Sequence, residues 1–283
     1  MNGIVKPLIF EPIRHVHKLL TEPNYLNYNK LYSQLNRYQR YQECKVKLKQ
    51  KELIIPDAAS FLSAYKEIFL NQIYKFKADN TSLKILDLGA NIGLSIIFFH
   101  ELYPNAEIVA LEADPKVFSY LQSNINSQDY PNVKLINKAV WYENSLLNFA
   151  SEGADSGQID YGNHNHNTVE VEAVDIAELL LNQAFDFIKM DIEGAEEFVL
   201  PRCKGLLDSV NHFFIEYHSK VGQKQNLNEI VNFLSQEGFR LYMENPFEKL
   251  TPFLGLDSYA GFDFQLNIYA WKEERHLLQS SPV

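Results

Sequence analysis

The chain has 283 residues, 46% of them apolar and 13% aromatic, with a formal charge of −10. Such a chain buries a substantial core, as one large α/β domain with an extension or as two small domains. Its acidic balance argues against a nucleic-acid partner, because phosphate contacts need a basic surface. No stretch reaches the length of a membrane span, and Met1-Asn2-Gly3-Ile4-Val5-Lys6-Pro7 lacks the apolar core of a secretion signal. Cys44 and Cys203 lie far apart without metal-site spacing, so a soluble protein of the reducing cytoplasm is expected.

Residues 1 to about 43, rich in Tyr, Asn and Arg, read as an irregular or helical extension. Cys44-Lys45-Val46-Lys47-Leu48-Lys49 alternates apolar side chains with lysine, the pattern of a half-exposed strand whose lysines guard an edge. Asp57 is placed to cap a helix running from Ala58 to about Tyr74, with Phe61, Leu62, Tyr65, Ile68 and Phe69 on one stripe. The expected division is an N-terminal extension, 1–56, and a main domain, 57–283.

From Leu83 onward strands alternate with helices, which predicts an α/β fold: a mostly parallel sheet with helices on both faces. Strands are expected at 84–88, 107–111, 133–136, 185–190, 210–216, 239–243 and 264–271, and helices near 92–102, 115–127, 175–182, 194–201 and 226–237. The last two strands are joined through Pro246, Pro252, Gly255 and Gly261 with no room for a crossover helix, so they are expected to be antiparallel neighbours at one edge. Two long loops interrupt the pattern. One, 151–168, is polar and carries Gly153, Ser156, Gly157, Gly162, His164 and His166; it is expected to close over a substrate, its histidines solvated rather than metal-bound. The other, 245–263, carries Phe247, Phe253, Tyr259 and Phe262 and would wall the same pocket.

The most informative run is Lys84-Ile85-Leu86-Asp87-Leu88-Gly89-Ala90-Asn91-Ile92-Gly93-Leu94-Ser95, a strand that empties into a glycine-punctuated turn and an apolar helix. Gly89 and Gly93 are expected to let the backbone approach a ligand, with the helix N-terminus behind them. The next strand ends in Glu112, followed by Ala113, where a carboxylate can accept both hydroxyls of a ribose. A dinucleotide fingerprint wants glycine at the first, third and sixth positions, but from Gly89 those positions hold Gly89, Asn91 and Leu94. The pyrophosphate turn is poorly made. The spacing suits S-adenosylmethionine, which has no phosphate and whose cationic groups favour a site containing Asp87. After the third strand, Asn137-Lys138-Ala139-Val140 lies where an adenine edge would sit, with Asn137 able to bond the ring.

Ligands of an open parallel sheet lie beyond the carboxyl ends of its strands. Two strand ends there deliver Asp191-Ile192-Glu193-Gly194-Ala195-Glu196 and Glu216-Tyr217-His218. Asp191, Glu193, Glu216 and His218 are therefore expected in one neighbourhood, a costly crowding unless it binds a cation, holds a proton or grips a polar substrate. His218, Asp191 or Glu193 is a candidate to take a proton from an acceptor hydroxyl, and a divalent ion held by these oxygens is an alternative way to activate it. Glu196 is expected only to complement the helix dipole.

Asp87-Leu88-Gly89-Ala90-Asn91-Ile92-Gly93, the strand-end Glu112, Ile188-Lys189-Met190-Asp191-Ile192-Glu193-Gly194-Ala195-Glu196 and Glu216-Tyr217-His218 together resemble the FkbM family of methyltransferases over roughly residues 57 to 272. The resemblance implies a Rossmann-like class I methyltransferase fold, a seven-stranded mostly parallel sheet with an antiparallel edge strand. It also implies S-adenosylmethionine as donor and O-methylation of a hydroxyl on a sugar, a glycan or a small natural product. By similarity Gly89, Asn91, Gly93 and Glu112 would hold the cofactor and Asp191 would lie beside the transferred methyl. Methylation at nitrogen or carbon, and a catalytically silent scaffold, are the rival readings; the acceptor and the oligomeric state stay open.

Overall fold

The computed structural model describes residues 7–78, 82–151, 157–159, 168–246, 251, 253–254 and 260–273, with side chains from Arg14 onward. It divides into two compact units, Met1–Lys75 and Phe76–Val283.

The first unit opens with two helices, α1 (Pro7–Thr21) and α2 (Pro23–Leu35). A hairpin follows, β1 (Cys44–Leu48) paired antiparallel with β2 (Lys51–Ile55). Lys45 and Lys47 point outward, as the alternation predicts, and Lys45 pairs with Glu52 at 2.7 Å across the ladder. Helix α3 (Ala58–Tyr65) starts at Asp57, whose carboxylate accepts from the Ser60 amide at 2.8 Å, the expected cap. It then widens into a π-turn, Lys66–Leu70, instead of running on to Tyr74. Tyr65 stacks between Tyr28 of α2 and Phe69, with ring centroids 6.4 and 4.8 Å away. These contacts group α3 with the first unit, which reaches Lys75.

The second unit holds a seven-stranded sheet, β3 (Lys84–Leu88), β4 (Glu107–Leu111), β5 (Val133–Ile136), β10 (Phe187–Met190), β11 (His212–Lys220), β12 (Arg240–Glu244) and β13 (Phe262–Trp271), in the order β12-β13-β11-β10-β3-β4-β5. All pairs are parallel except those of β13. The last two strands are antiparallel neighbours at one edge as expected, with the antiparallel strand itself one place in from the edge and β12 outermost.

Between β5 and β10 the chain builds a second, four-stranded sheet from β6 (Ala139–Trp141), β7 (Ser145–Ala150), β8 (Gln158–Ile159) and β9 (Thr168–Asp175). The region expected as one long polar loop thus contains β8 and ends in β9. Gly153, Ser156, Gly162, His164 and His166 lie outside the described residues, as do Phe247 and Tyr259 of the second loop.

Helices α4 (Leu94–Leu102), α5 (Pro115–Asn126), α6 (Ile176–Asn182), α7 (Glu196–Val199) and α8 (Leu227–Gln236) complete the unit. Strand alternation sends Leu86, Leu88, Val109, Leu111, Ile188, Met190, Phe213 and Ile215 to one face, in a core with Leu180 of α6, Val199 of α7, Leu234 of α8 and Trp141 of the side sheet. On the other face Phe99 of α4 meets Phe187 edge-on at 5.2 Å. Each fully buried Leu, Ile or Phe contributes about 1.5–3 kcal/mol. Chain order reverses between β3 and β10, the switch point where ligand crevices of such sheets open. Among the described residues no helix is long and apolar enough to cross a membrane.

Candidate active site at the ends of β3, β10 and β11

The turn after β3 is held by its own chain. The amides of Gly89 and Ala90 both donate to the Leu111 carbonyl, at 3.0 and 2.9 Å, and that of Gly93 to Ala90 at 2.9 Å. The Asn91 amide donates to Glu112 Oε2 at 2.9 Å and the Ile92 amide to Asn91 Oδ1 at 2.6 Å. Five successive amides of this turn thus have internal acceptors, which leaves no nest for a phosphate.

Packing requires both glycines. A Cβ on Gly89 (φ +83°) would stand 1.8 Å from the Asp191 carbonyl oxygen, and one on Gly93 (φ +94°) would stand 2.9 Å from Leu121 and Ile125 of α5. Ala90 is buried beside them.

Glu112 sits half-buried at the end of β4, its oxygens taking the amides of Asn91 and of Asp114, the latter at 2.9 Å. Each oxygen keeps a lone pair for a further donor. Burial pushes its pKa up to about 7, the two amide bonds offsetting only part of that shift. Asn137 uses its side-chain amide to brace this strand end, donating to the carbonyls of Glu112 at 2.9 Å and Ala113 at 3.2 Å, so it shapes the rim. Ala139 is buried in β6, paired in register with Ala173, and offers no open surface.

Asp87 is fully buried and braces the turn. Its Oδ2 accepts from Ser95 Oγ at 2.5 Å and its Oδ1 lies 3.4 Å from Lys189 Nζ. The two residues are register partners on adjacent parallel strands, so alternation puts both on one face. Lys189 also lies 3.3 Å from Asp191 Oδ2 and donates to the Gly89 carbonyl at 2.7 Å. Burial alone would lower its pKa, but the charges of Asp191, Asp87 and Glu216 outweigh that and hold it above the usual lysine range. A lone ammonium at this depth would be prohibitively costly, and these carboxylates are what allow a lysine in an apolar strand.

Beyond β10 the segment 191–195 is wound tightly. Glu193 (φ +55°) and Gly194 (φ +87°) are both left-handed, a conformation that costs a glutamate about 1–2 kcal/mol. A Cβ on Gly194 would meet Lys220 Cε at 2.9 Å and Phe262 at 3.2 Å. The organiser is Glu196, 1% exposed. Its Oε1 accepts from the Ile192 amide at 3.1 Å and the Gly194 amide at 3.2 Å, and lies 3.3 Å from His218 Nδ1. It is a buried anchor as well as an acidic residue in the first turn of α7.

His218 stacks on Phe262 at 4.8 Å. Its Nε2 lies 3.7 Å from Glu193 Oε2, 3.9 Å from Glu216 Oε1 and 2.9 Å from the Gln265 amide, which also reaches Glu216. Burial works against the imidazolium, but Glu193, Glu196 and Glu216 together hold the pKa well above the usual histidine range. For Glu193, burial and the charges of Asp191, Glu216 and Glu196 raise the pKa well above the carboxylate range against the pull of His218.

Asp191, Glu193, Glu216 and His218 are thus brought together as the sequence predicts. Lys189, Glu196 and Gln265 complete the group and were not anticipated as site residues. A lysine inside an apolar strand was a readable signal; Gln265 faces His218 only through the β11–β13 register, which no local pattern encodes. Asp191, Glu193 and His218 offer ligand atoms within 4.8 Å of one another.

The methyltransferase FkbM domain model matches residues 87–241, more than half of the chain. Methyltransferase 1 of Beauveria bassiana (strain ARSEF 2860) is 24% identical over 210 residues, covering 64% of this chain and 82% of that protein. Methyltransferase sdnD of Sordaria araneosa is 37% identical over 65 residues, 23% of this chain and 25% of that protein. Among solved structures, methyltransferase FkbM from Methylobacillus flagellatus KT aligns with a TM-score of 0.47 at 15% identity, covering 90% of this chain and 60% of that one. Precorrin-6y C5,15-methyltransferase from Geobacter metallireducens GS-15 aligns at 0.44 and 17%, covering 73% and 88%. On the match over the segment that carries both strand-end clusters, the chain is a methyltransferase and belongs to the FkbM family.

Proposed function

We propose that the protein is an S-adenosylmethionine-dependent O-methyltransferase acting on a hydroxyl of a sugar, a glycan or a small natural product. The observation that carries this reading is a pair of neighbouring features at one sheet end. The turn 89–93 has its amides occupied and cannot cradle a pyrophosphate, while Glu112 keeps lone pairs for a vicinal diol. Beside them Asp87, Asp191, Glu193, Glu196 and Glu216 outnumber Lys189 and His218, a surplus of negative charge that favours a cationic sulfonium and ammonium. These residues fit such a cofactor, with Glu112 at its ribose and Asp191 near its cationic end; when bound it supplies an electrophilic methyl group.

The chain's own part is to align the acceptor, exclude water and take a proton. Carboxylates at 191, 193 and 216 accept hydrogen bonds from neighbouring hydroxyls, which supports a polyol acceptor. The catalytic domain in this reading is the second unit, with Met1–Lys75 as an appended N-terminal part. The buried, unpaired Cys44 and Cys203 support a reducing, cytoplasmic setting.

The test is methyl transfer from labelled S-adenosylmethionine by the full chain to a panel of sugars, phenols and amines, with and without magnesium. Labelled ethers of hydroxylated acceptors are expected. Labelled amines alone would replace O-methylation with N-methylation, and binding without transfer to any acceptor would favour a scaffold.

A further inference from the structure

The group that takes a proton from the acceptor must be one that a ligand can touch. The side chains of Asp191 and Glu193 are 23% and 22% exposed, whereas those of His218 and Glu196 are only 2% and 1% exposed. His218, the base favoured by its strand-end position, is therefore shut behind its neighbours. Asp191 already has the Lys189 ammonium at 3.3 Å. Glu216 is only 12% exposed and accepts from the Gln265 amide, so Glu193 is the more open carboxylate without an ammonium beside it, and its surroundings are specific. Its Oε2 faces His218 Nε2 at 3.7 Å, and a single Glu196 oxygen holds both flanking amides and His218 Nδ1. One buried carboxylate thereby sets the position of the left-handed residue 193 and of the imidazole behind it.

We propose that Glu193 accepts the proton of the acceptor hydroxyl, and that Glu196 is a positioning residue holding Glu193 and His218 in register. This rests on the O-methyltransferase reading above. The acceptor O–H bond breaks and its proton passes to a Glu193 carboxylate oxygen. The electron pair left on the acceptor oxygen forms the new C–O bond to the methyl carbon, while the carbon–sulfur bond breaks and its pair stays on sulfur. His218 offsets the charge of Glu193 before transfer and is itself offset by Glu196 afterwards. The charged groups facing Glu193 are Asp191 from the end of β10, Glu196 from α7, and Glu216 and His218 from β11, with the Lys220 stem lying over Gly194. Burial and the surrounding carboxylates make Glu193 more basic than an ordinary glutamate, which suits proton uptake near neutral pH.

The test is a pH titration of the full chain carrying ¹⁵N-labelled histidine, followed by imidazole nitrogen shifts, with His218 assigned by its loss in His218→Gln. Wild type is expected to keep His218 protonated beyond pH 7. Glu193→Gln is expected to lower the His218 midpoint by a pH unit or more, Glu193→Asp is expected to retain most of it, and Glu196→Gln is expected to alter the Nδ1 shift. With an acceptor from the panel above, Glu193→Gln is expected to lower kcat about 100-fold and to remove the acid limb of its pH profile, while S-adenosylhomocysteine still binds. An unmoved His218 midpoint in Glu193→Gln, or an unchanged kcat, overturns the proposal. Failure of wild type to bind S-adenosylhomocysteine overturns the cofactor reading instead.

Discussion

The Lys189 ammonium donates to the Gly89 carbonyl at 2.7 Å, and through that bond the end of β10 is tied to the turn after β3. The same nitrogen sits between Asp87 and Asp191, so one buried cation offsets part of the charge on the floor of the crevice and joins the two segments that line it.

Replacing Lys189 with methionine leaves Asp87 buried with Ser95 as its remaining described partner and no cation. Breaking a buried pair in this way costs about 3–5 kcal/mol. Urea denaturation of Lys189→Met is expected to show a loss of that order, with weakened S-adenosylhomocysteine binding. A loss below about 1 kcal/mol would mean that the ion pair does not hold the turn.

Gly89 and Gly238 separate two reasons for glycine. Both are left-handed, at φ +83° and +85°, but a Cβ on Gly238 meets nothing within 4 Å while one on Gly89 would stand 1.8 Å from the Asp191 carbonyl oxygen. Gly238→Ala is expected to cost about 1–2 kcal/mol, the backbone penalty alone. Gly89→Ala must also push the 191–195 segment aside, so it is expected to be the more destabilising and to abolish cofactor binding. Equal thermal shifts for the two variants would contradict this.

Stability is expected to fall as pH rises through neutrality. Glu112, with a folded pKa of about 7 against an ordinary 4.5, binds more protons folded than unfolded in that window. Its contribution is complete below about 4.5 and is lost as pH passes 7. His218 and Glu193 are also raised, so their contributions too are lost on the alkaline side of their ordinary values. Asp57 and Asp175 are lowered and act only on the acid side, their contributions lost as pH drops through the carboxylate range. Urea midpoints of the ligand-free protein measured from pH 5 to 9 are expected to decline, with Glu112→Gln flattening the segment between 5 and 7. A midpoint that rises across that range would contradict the assignment.

The central strands were legible because a strand buried on both faces is written as a largely apolar run, and β3 and β4 start and stop where such runs do. The β1–β2 hairpin was half legible: its first strand alternates clearly, but the turn Lys49-Gln50 carries none of the glycine or asparagine that marks a tight hairpin, although Lys49 is left-handed. The side sheet was missed because β6 and β8 are too short to show a period, even though Val169-Glu170-Val171-Glu172 in β9 alternates. At the site, residue types were legible and their geometry was not. Asp87 and Glu196 differ from Asp191 and Glu193 in burial and partner, and Gln265 joins them through register between strands distant in sequence.

Calorimetry of the full chain with S-adenosylhomocysteine, for wild type and Glu112→Ala, tests the central claim most directly. Micromolar binding is expected for wild type, weakened in the variant by about 1.5–3 kcal/mol, roughly 10- to 150-fold, for loss of hydrogen bonds to a charged group. Absence of binding to wild type, or equal affinity for the two proteins, would contradict the assignment of this crevice to S-adenosylmethionine.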